Sequence, residues 1–334
     1  MTKKILKHII EKKWWWSAGA AVVLVLAVFG LVNSNQLDIE KGQLTLEGMR
    51  SPVSDLSGER CDNGQERPIA VMLANDPEAR PLSGLSQADL VFEMPVTDGG
   101  LTRLMAVFQC HQPEEIGSVR SSRIDFIPLV QGLGAVYAHW GGEKEALAEL
   151  NRGVVDNIDG MRYEGTIYYR KKGAKPPHNG FTSYELLSGE MVRRGFNLGK
   201  GTSTYLAEEK SISQGQISPG TIYSNGSSVQ WKYQAGVNKY QRWRNNELEM
   251  DGVPNKPVEA ASVIVMKTTW TPINRDYIRV KTVGSGAAII YQNGIEIQGT
   301  WEKRGDREKL FFYDSKGQEI KFSPGQRWVE ITVS

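Results

Sequence analysis

Between Arg67 and Asn179 short apolar segments recur, and several of them run into glycine, arginine, histidine or asparagine. They are RPIAVMLAND (67–76), LSQADLVFEM (85–94), GGLTRLMAVF (99–108), GSVRSSR (117–123), VYAHWGGE (136–143) and KPPHNGFTS (175–183). Short apolar runs bounded by turn-forming residues read as strands. The pattern predicts strands at 69–74, 89–94, 103–109 and 135–139. Helices are expected at 82–88, 121–132 and 143–151, and a further amphipathic helix at 183–194 precedes FNLGKGTS (196–203). Strands alternating with helices predict an α/β domain with a mixed sheet over residues 67–205. Polar residues presented at the ends of several strands usually mark a site.

From residue 215 to 334 the pattern changes. TIYSN, VQWKY, KYQRWRN, ASVIVMKTTW, YIRVKTV, AAIIYQ, IEIQGTWEK, KLFFYD, EIKF and RWVEITV are short alternating runs, many of them separated by Gly, Asn, Asp or Pro. They predict a β-rich C-terminal domain of hairpins, as in a sandwich or barrel. FFYDSKGQEIKF is one such hairpin, with its turn at Asp314–Gly317. No catalytic constellation is evident in this region.

The N-terminus constrains location. Trp14 to Val32, WWWSAGAAVVLVLAVFGLV, contains no charged residue, and about 20 apolar residues suffice to span a bilayer as a helix. Residues 1–13 carry Lys3, Lys4, Lys7, Lys12 and Lys13 against Glu11. The positive-inside rule therefore puts residues 1–13 in the cytoplasm and residues 33–334 outside it. The run is long for a signal-peptide core and no A-x-A site follows it, so an uncleaved signal anchor at 14–32 is expected rather than a cleaved peptide. Residues 33–66 are polar and rich in Ser, Gly, Asn and Asp, and read as a linker. The whole chain of 334 residues has a formal charge of +2. Outside the tail, 35 basic residues face 37 acidic ones, which argues against nucleic acid as a partner. Cys61 and Cys110 are the two cysteines. An oxidising compartment permits a disulfide between them, and two free thiols are equally compatible with the sequence.

The candidate site gathers residues from each motif. Arg120, Ser121 and Arg123 lie at a turn leading into an expected helix, whose amides and dipole would favour an anion. Guanidinium forks match phosphate or carboxylate oxygens in bidentate fashion. Arg103 follows two glycines at the start of a strand. His139, Gly141 and Gly142 sit at a strand end, where the glycines let backbone approach a ligand closely. His178 and Asn179 lie in a loop fixed by consecutive prolines. Against this, Ser121 could simply cap the helix, the arginines could pair with Asp125 or other acids, and His139 could be a structural histidine. Glu93 and His139 are the candidates for a general base, with Glu93 otherwise an ion-pair partner. No HxH, HExxH or CxxC spacing accompanies His139, His178 and Glu93, so no metal centre is expected there. No Walker loop, GxSxG elbow or dinucleotide fingerprint occurs either, and no cofactor is expected.

The ordered elements IGSVRSSR, HWGG, PPHN and GTWEKRGDREKLFFYDSKGQEIKFSPGQRWVEI (299–331) resemble the YerB-like family of bacterial envelope lipoproteins, over nearly the whole ectodomain. The resemblance implies a two-part architecture and no particular reaction. It also implies a lipidated cysteine after the signal, which this chain lacks, so a transmembrane helix is expected in its place. In that family a small polar residue often follows the paired glycines. Glu143 stands there instead, which disfavours an anion directly at that spot.

Three function classes follow. The first is a membrane-anchored binding protein for an anionic cell-envelope ligand: a polyprenyl-linked precursor, a teichoic-type polymer or a muropeptide. The second is an envelope phosphotransferase or hydrolase, whose layout is similar to that of the glycopolymer ligases named for LytR, CpsA and Psr. The third is a non-catalytic scaffold for envelope proteins. The sequence leaves open whether the protein is an enzyme.

Overall fold

The computed structural model describes residues 51–98, 100–199, 201, 204–209, 221–223, 229–274 and 277–334. The expected tail, the anchor at 14–32 and most of the expected linker lie outside them. Residues Pro52–Ser334 form one compact unit. Among the described residues no helix is long and apolar enough to cross a membrane.

Ten strands make the central sheet. They are β1 (Ile69–Ala74), β2 (Leu90–Pro95), β3 (Thr102–Phe108), β4 (Val136–His139), β5 (Asn157–Asp159), β6 (Ser262–Thr268), β7 (Gly284–Gln292), β8 (Ile295–Lys303), β9 (Phe311–Asp314) and β10 (Arg327–Val333). Their spatial order is β9-β8-β7-β6-β10-β2-β3-β1-β4-β5. The sheet is mixed. β10 runs parallel to both β6 and β2, β1 runs parallel to β4, and β2–β3 and β1–β3 are antiparallel.

The period of two along each strand divides the core. Ala70, Met72, Phe92, Met105, Ile264 and Val329 face one side, with Phe126, Val130 and Leu133 of the helical segment above them. Val71, Leu73, Val91, Leu104, Val263 and Trp328 face the other, against Leu187 and Met191. Strands buried on both faces read as continuous apolar runs, which is why VFEM and SVIVM carry little alternation.

Four helices flank the sheet: α1 (Ile127–Leu133), α2 (Lys144–Asn151), α3 (Gly160–Tyr163) and α4 (Tyr184–Arg193). The Ser183 hydroxyl caps α4 by accepting the Leu186 amide at 3.2 Å, a role suited to a residue that favours helix starts over interiors. The helix expected at 82–88 is instead a single 3-10 turn, Leu85–Gln87. Gly84, the residue before that turn, is itself left-handed at φ +82°, a conformation that a helix running through it would not accept. The helix expected from 121 begins later, as a 3-10 turn at Ile124–Phe126 that runs into α1.

The β-rich C-terminal region contains the expected hairpins. At the hairpin of β9, Gly317 donates to the Asp314 carbonyl at 3.0 Å, and the Asp314 carboxylate accepts the Lys316 and Gln318 amides at 2.9 Å. The region does not close into a sandwich or barrel of its own. β6 to β10 continue the sheet begun by β1 to β5, because the apolar run of β6 needs cover on both faces. Strands Val229–Gln234 and Lys239–Arg244 belong to a smaller sheet that packs Trp231 and Tyr240 onto the second face.

Residues 52–66, expected as linker, are folded onto the domain. Leu56 is buried, Ser54 donates to the Gln109 side chain at 2.7 Å, and Cys61 is bonded to Cys110 with the Cα atoms 5.5 Å apart. The cysteines are 49 positions apart in sequence, and closing a loop of that length restricts the unfolded chain by about 4 kcal/mol. Cys61→Ser/Cys110→Ser is therefore expected to lower unfolding stability by about 2–4 kcal/mol. Denaturation curves of the oxidised protein and the variant would check this, and coincident curves would refute it.

Candidate functional site

The site is built where a loop segment wedges between two parallel strands. β1 and β4 pair only from Ile69↔Val136 to Val71↔Ala138. Beyond that register Ser118–Ser122 enters between them. On one side Ala74 donates to Ser118 at 2.9 Å and Arg120 to Met72 at 2.9 Å. On the other Trp140 donates to Arg120 at 3.0 Å and Ser122 to Gly141 at 2.9 Å. Crevices at the carboxyl ends of splayed parallel strands are favoured ligand positions, and here the wedge delivers two arginines to one.

A cleft of about 650 Å³ opens beside it. Its lining includes Arg103, Arg120, Ser121, Arg123, Gly142 and Glu143, and also Lys144, Glu145, Tyr277 and Arg279. Five basic side chains face two acidic ones in that lining. Arg103 pairs with Asp76 at 3.0 Å and Arg279 with Asp125 at 3.3 Å, while Arg279 also reaches Glu145. Arg120 and Arg123 differ: among the described residues neither has a carboxylate within ion-pair distance. Arg120 donates to the Pro177 carbonyl at 3.3 Å. Arg123 donates to the Ser122 carbonyl at 3.4 Å and lies 4.8 Å from the Tyr277 ring centre. The Nε groups of Arg103, Arg120 and Arg123 are buried without an acceptor. Burial pulls Arg103 down to about 10, and the positive charges of Arg120 and Arg123 pull in the same direction against Asp76. A bound anion would relieve both the repulsion and the unmet donors.

The other candidates sit elsewhere. His139 is fully buried, with Nδ1 2.8 Å from the Gly141 carbonyl and Nε2 3.3 Å from Asn157 Oδ1. Burial lowers its pKa against the opposing charge of Asp159, so it is a neutral ring that shapes the turn. Gly141 does not offer its amide to a ligand, because Asp159 accepts it at 2.8 Å. Ser121 donates to the Trp140 carbonyl at 3.3 Å rather than capping a helix. The first amide of the 3-10 turn, Ile124, goes to Glu143 at 2.7 Å, so the helix start expected after Arg123 is not free to hold an anion, and the helix start that lines the cleft is that of α2 at Lys144. His178 lies 4.0 Å from Asp76, behind Arg103. Asn179 is engaged with Arg170 at 3.1 Å and the Lys171 amide at 2.8 Å; neither residue lines the cleft.

Glu93 belongs to a different, buried cluster. Its carboxylate accepts from Asn75 at 2.7 Å and Thr102 at 2.9 Å, and it pairs with Arg242. Arg242 also pairs with Glu249 and lies 4.0 Å from Glu330, while Arg80 and Arg244 share Glu249. Three guanidiniums thus face three carboxylates. Burial alone would raise the Glu93 carboxyl, but Arg242, Arg244, the Thr102 hydroxyl and Arg80 hold it below the ordinary range. The group is an ionised structural partner that is buried and does not line the cleft.

Sequence reasoning missed Arg279, Tyr277 and Lys144 in the cleft, and Arg80, Arg242 and Arg244 in the buried cluster. YIRVKTV held one usable signal: Ile278 and Val280 are buried, so the alternation turns Arg279 to the opposite side.

The fold and cleft together define an α/β protein with an arginine-lined crevice at strand ends. The chain belongs to the family described as protein of unknown function (DUF3048), whose N-terminal domain matches residues 56–197 and whose C-terminal domain matches 220–329. It is 28% identical over 326 residues to "Putative lipoprotein YerB" of Bacillus subtilis (strain 168), covering 96% of this chain and 95% of that one. The crystal structure of YerB from Bacillus subtilis aligns with a TM-score of 0.74 at 26% identity, over 84% of this chain and 97% of that one. These agree with the family resemblance of the sequence motifs.

Proposed function

We propose that the protein binds an anionic, phosphate-bearing ligand of the cell envelope in this cleft, and that Trp14–Val32 holds it at the membrane. One observation carries the reading: Arg120 and Arg123 reach the cleft with no carboxylate partner among the described residues, although acids elsewhere pair with most neighbouring arginines. Unmatched guanidiniums in a partly dry crevice favour phosphate or carboxylate oxygens. The lipoprotein name of the relative supports an envelope location. Glu93 and His139 do not line the cleft, so the reading is of binding rather than turnover.

The test is thermal shift and calorimetry on residues 52–334 with pyrophosphate, teichoic fragments and muropeptides. Saturable stabilisation by a phosphate-bearing ligand is expected. A hydrogen bond to a charged group contributes about 1.5–3 kcal/mol, so Arg120→Ala and Arg123→Ala should each weaken binding about tenfold or more. No stabilisation by any of the ligands, or equal stabilisation of the variants, would overturn the reading and leave the scaffold class.

A further inference from the structure

We infer that Glu59, Asp89 and His111 form a binding site for a first-row divalent cation such as zinc. All three precede the wedge in sequence, and none lines the arginine cleft. One ligand atom from each lies within 4.8 Å of the others. Ligands about 2.1 Å from a tetrahedral zinc sit about 3.4 Å apart. Side-chain rotation of the exposed His111 and the half-buried Glu59 covers that difference.

Asp89 supplies the second, independent observation. It is 1% exposed. Its Oδ2 accepts the Gln109 amide at 2.7 Å and the Cys110 amide at 3.0 Å, while its Oδ1 is buried with no hydrogen bond of good geometry; the Ser57 hydroxyl and the His111 ring are the further groups that act on the carboxylate. No ion pair to Asp89 occurs among the described residues. The Arg327 guanidinium donates to the Leu56 carbonyl through Nη1, and its charge acts on Asp89 and Glu59 from beyond ion-pair distance. A buried carboxylate oxygen without a partner is costly, and a cation ligated beside it removes that cost. The two amides orient the carboxylate from behind, as outer partners commonly do for metal ligands.

The disulfide completes the arrangement. Glu59 stands two residues before Cys61, and His111 follows Cys110 directly, so the Cys61–Cys110 bond holds the two ligand-bearing loops together. One imidazole and two carboxylates suit zinc or a neighbouring transition metal. Three protein ligands leave a fourth position for water.

The experiment is calorimetric titration of chelator-stripped, oxidised residues 52–334 with zinc chloride. His111→Ala, Glu59→Gln and Asp89→Asn run beside the parent, each checked for folding by circular dichroism. The His111 and Glu59 variants keep the test decisive if the buried Asp89 variant fails to fold. One zinc per chain is expected, with affinity at least tenfold weaker in His111→Ala and Glu59→Gln. Absence of binding, or parental affinity in both of these variants, would overturn the site.

Discussion

Arg242→Ala is expected to destabilise the protein by about 3–5 kcal/mol, because it takes from the buried Glu93 carboxylate the guanidinium that pairs with it. Arg242 is fully buried and Glu93 and Glu330 are 2% exposed. The guanidinium carbon also lies 4.6 Å from the Trp328 ring centre, so its removal opens a void against a strand of the central sheet. Urea denaturation of residues 52–334 measures the loss directly. The double variant Arg242→Met/Glu93→Gln should lose less than the sum of the two single changes, since each single change leaves the other partner charged and dry. A loss below about 1 kcal/mol in Arg242→Ala would show that water reaches the cluster and that the six charges are solvated.

Removing β10 should be more severe still. A chain lacking Arg327–Ser334 is expected to have no cooperative unfolding transition. β10 pairs along its whole length with β6 and along four residues with β2, and it buries Trp328, Val329 and Ile331. Without it both neighbours become unpaired edges in the middle of the sheet, where backbone groups have neither partner nor water. For the same reason residues 56–197 are not expected to fold alone, although a family domain matches that span. Near-UV circular dichroism and amide exchange on both fragments decide the matter. A protected, cooperatively unfolding 56–197 fragment would show that β2 needs no partner at its outer edge.

The four N-terminal strands were legible because local composition determines them. β1 and β3 are apolar runs stopped by polar turn residues, and nothing remote alters that. α4 was equally plain, with a serine cap and an apolar face. What the sequence did not disclose were relations between distant segments. Nothing local in RWVEITV says that it will sit between SVIVMKT and LVFEMP, because parallel partners leave no shared pattern in the intervening chain. The helix expected from 121 failed at its start because Ser118–Ser122 is held in extended form by hydrogen bonds to β1 and to Trp140–Gly142, a tertiary constraint that overrides propensity. Arg103, Arg120 and Arg123, singled out from motif chemistry, line one cleft. The burial of Glu93 and His139 depended on neighbours as remote as Arg242 and Asn157, and no window of sequence around either residue contains that information.

The placement of β10 also sets an order of events in time. Leu90 pairs with Arg327, so the centre of the sheet closes through one of the longest-range contacts in the chain, and such contacts slow folding. As the chain lengthens from its N-terminus, β1, β2 and β3 can meet early, and the Cys61–Cys110 bond can lock them. Until Arg327–Val333 arrives, however, β2 presents a bare edge. During that interval the protein is most exposed to mispairing and to holdase-type chaperones. The docking of this seven-residue strand is therefore expected to be the slow step of folding, which pulse-labelled amide exchange would register as late protection of β2 and β10.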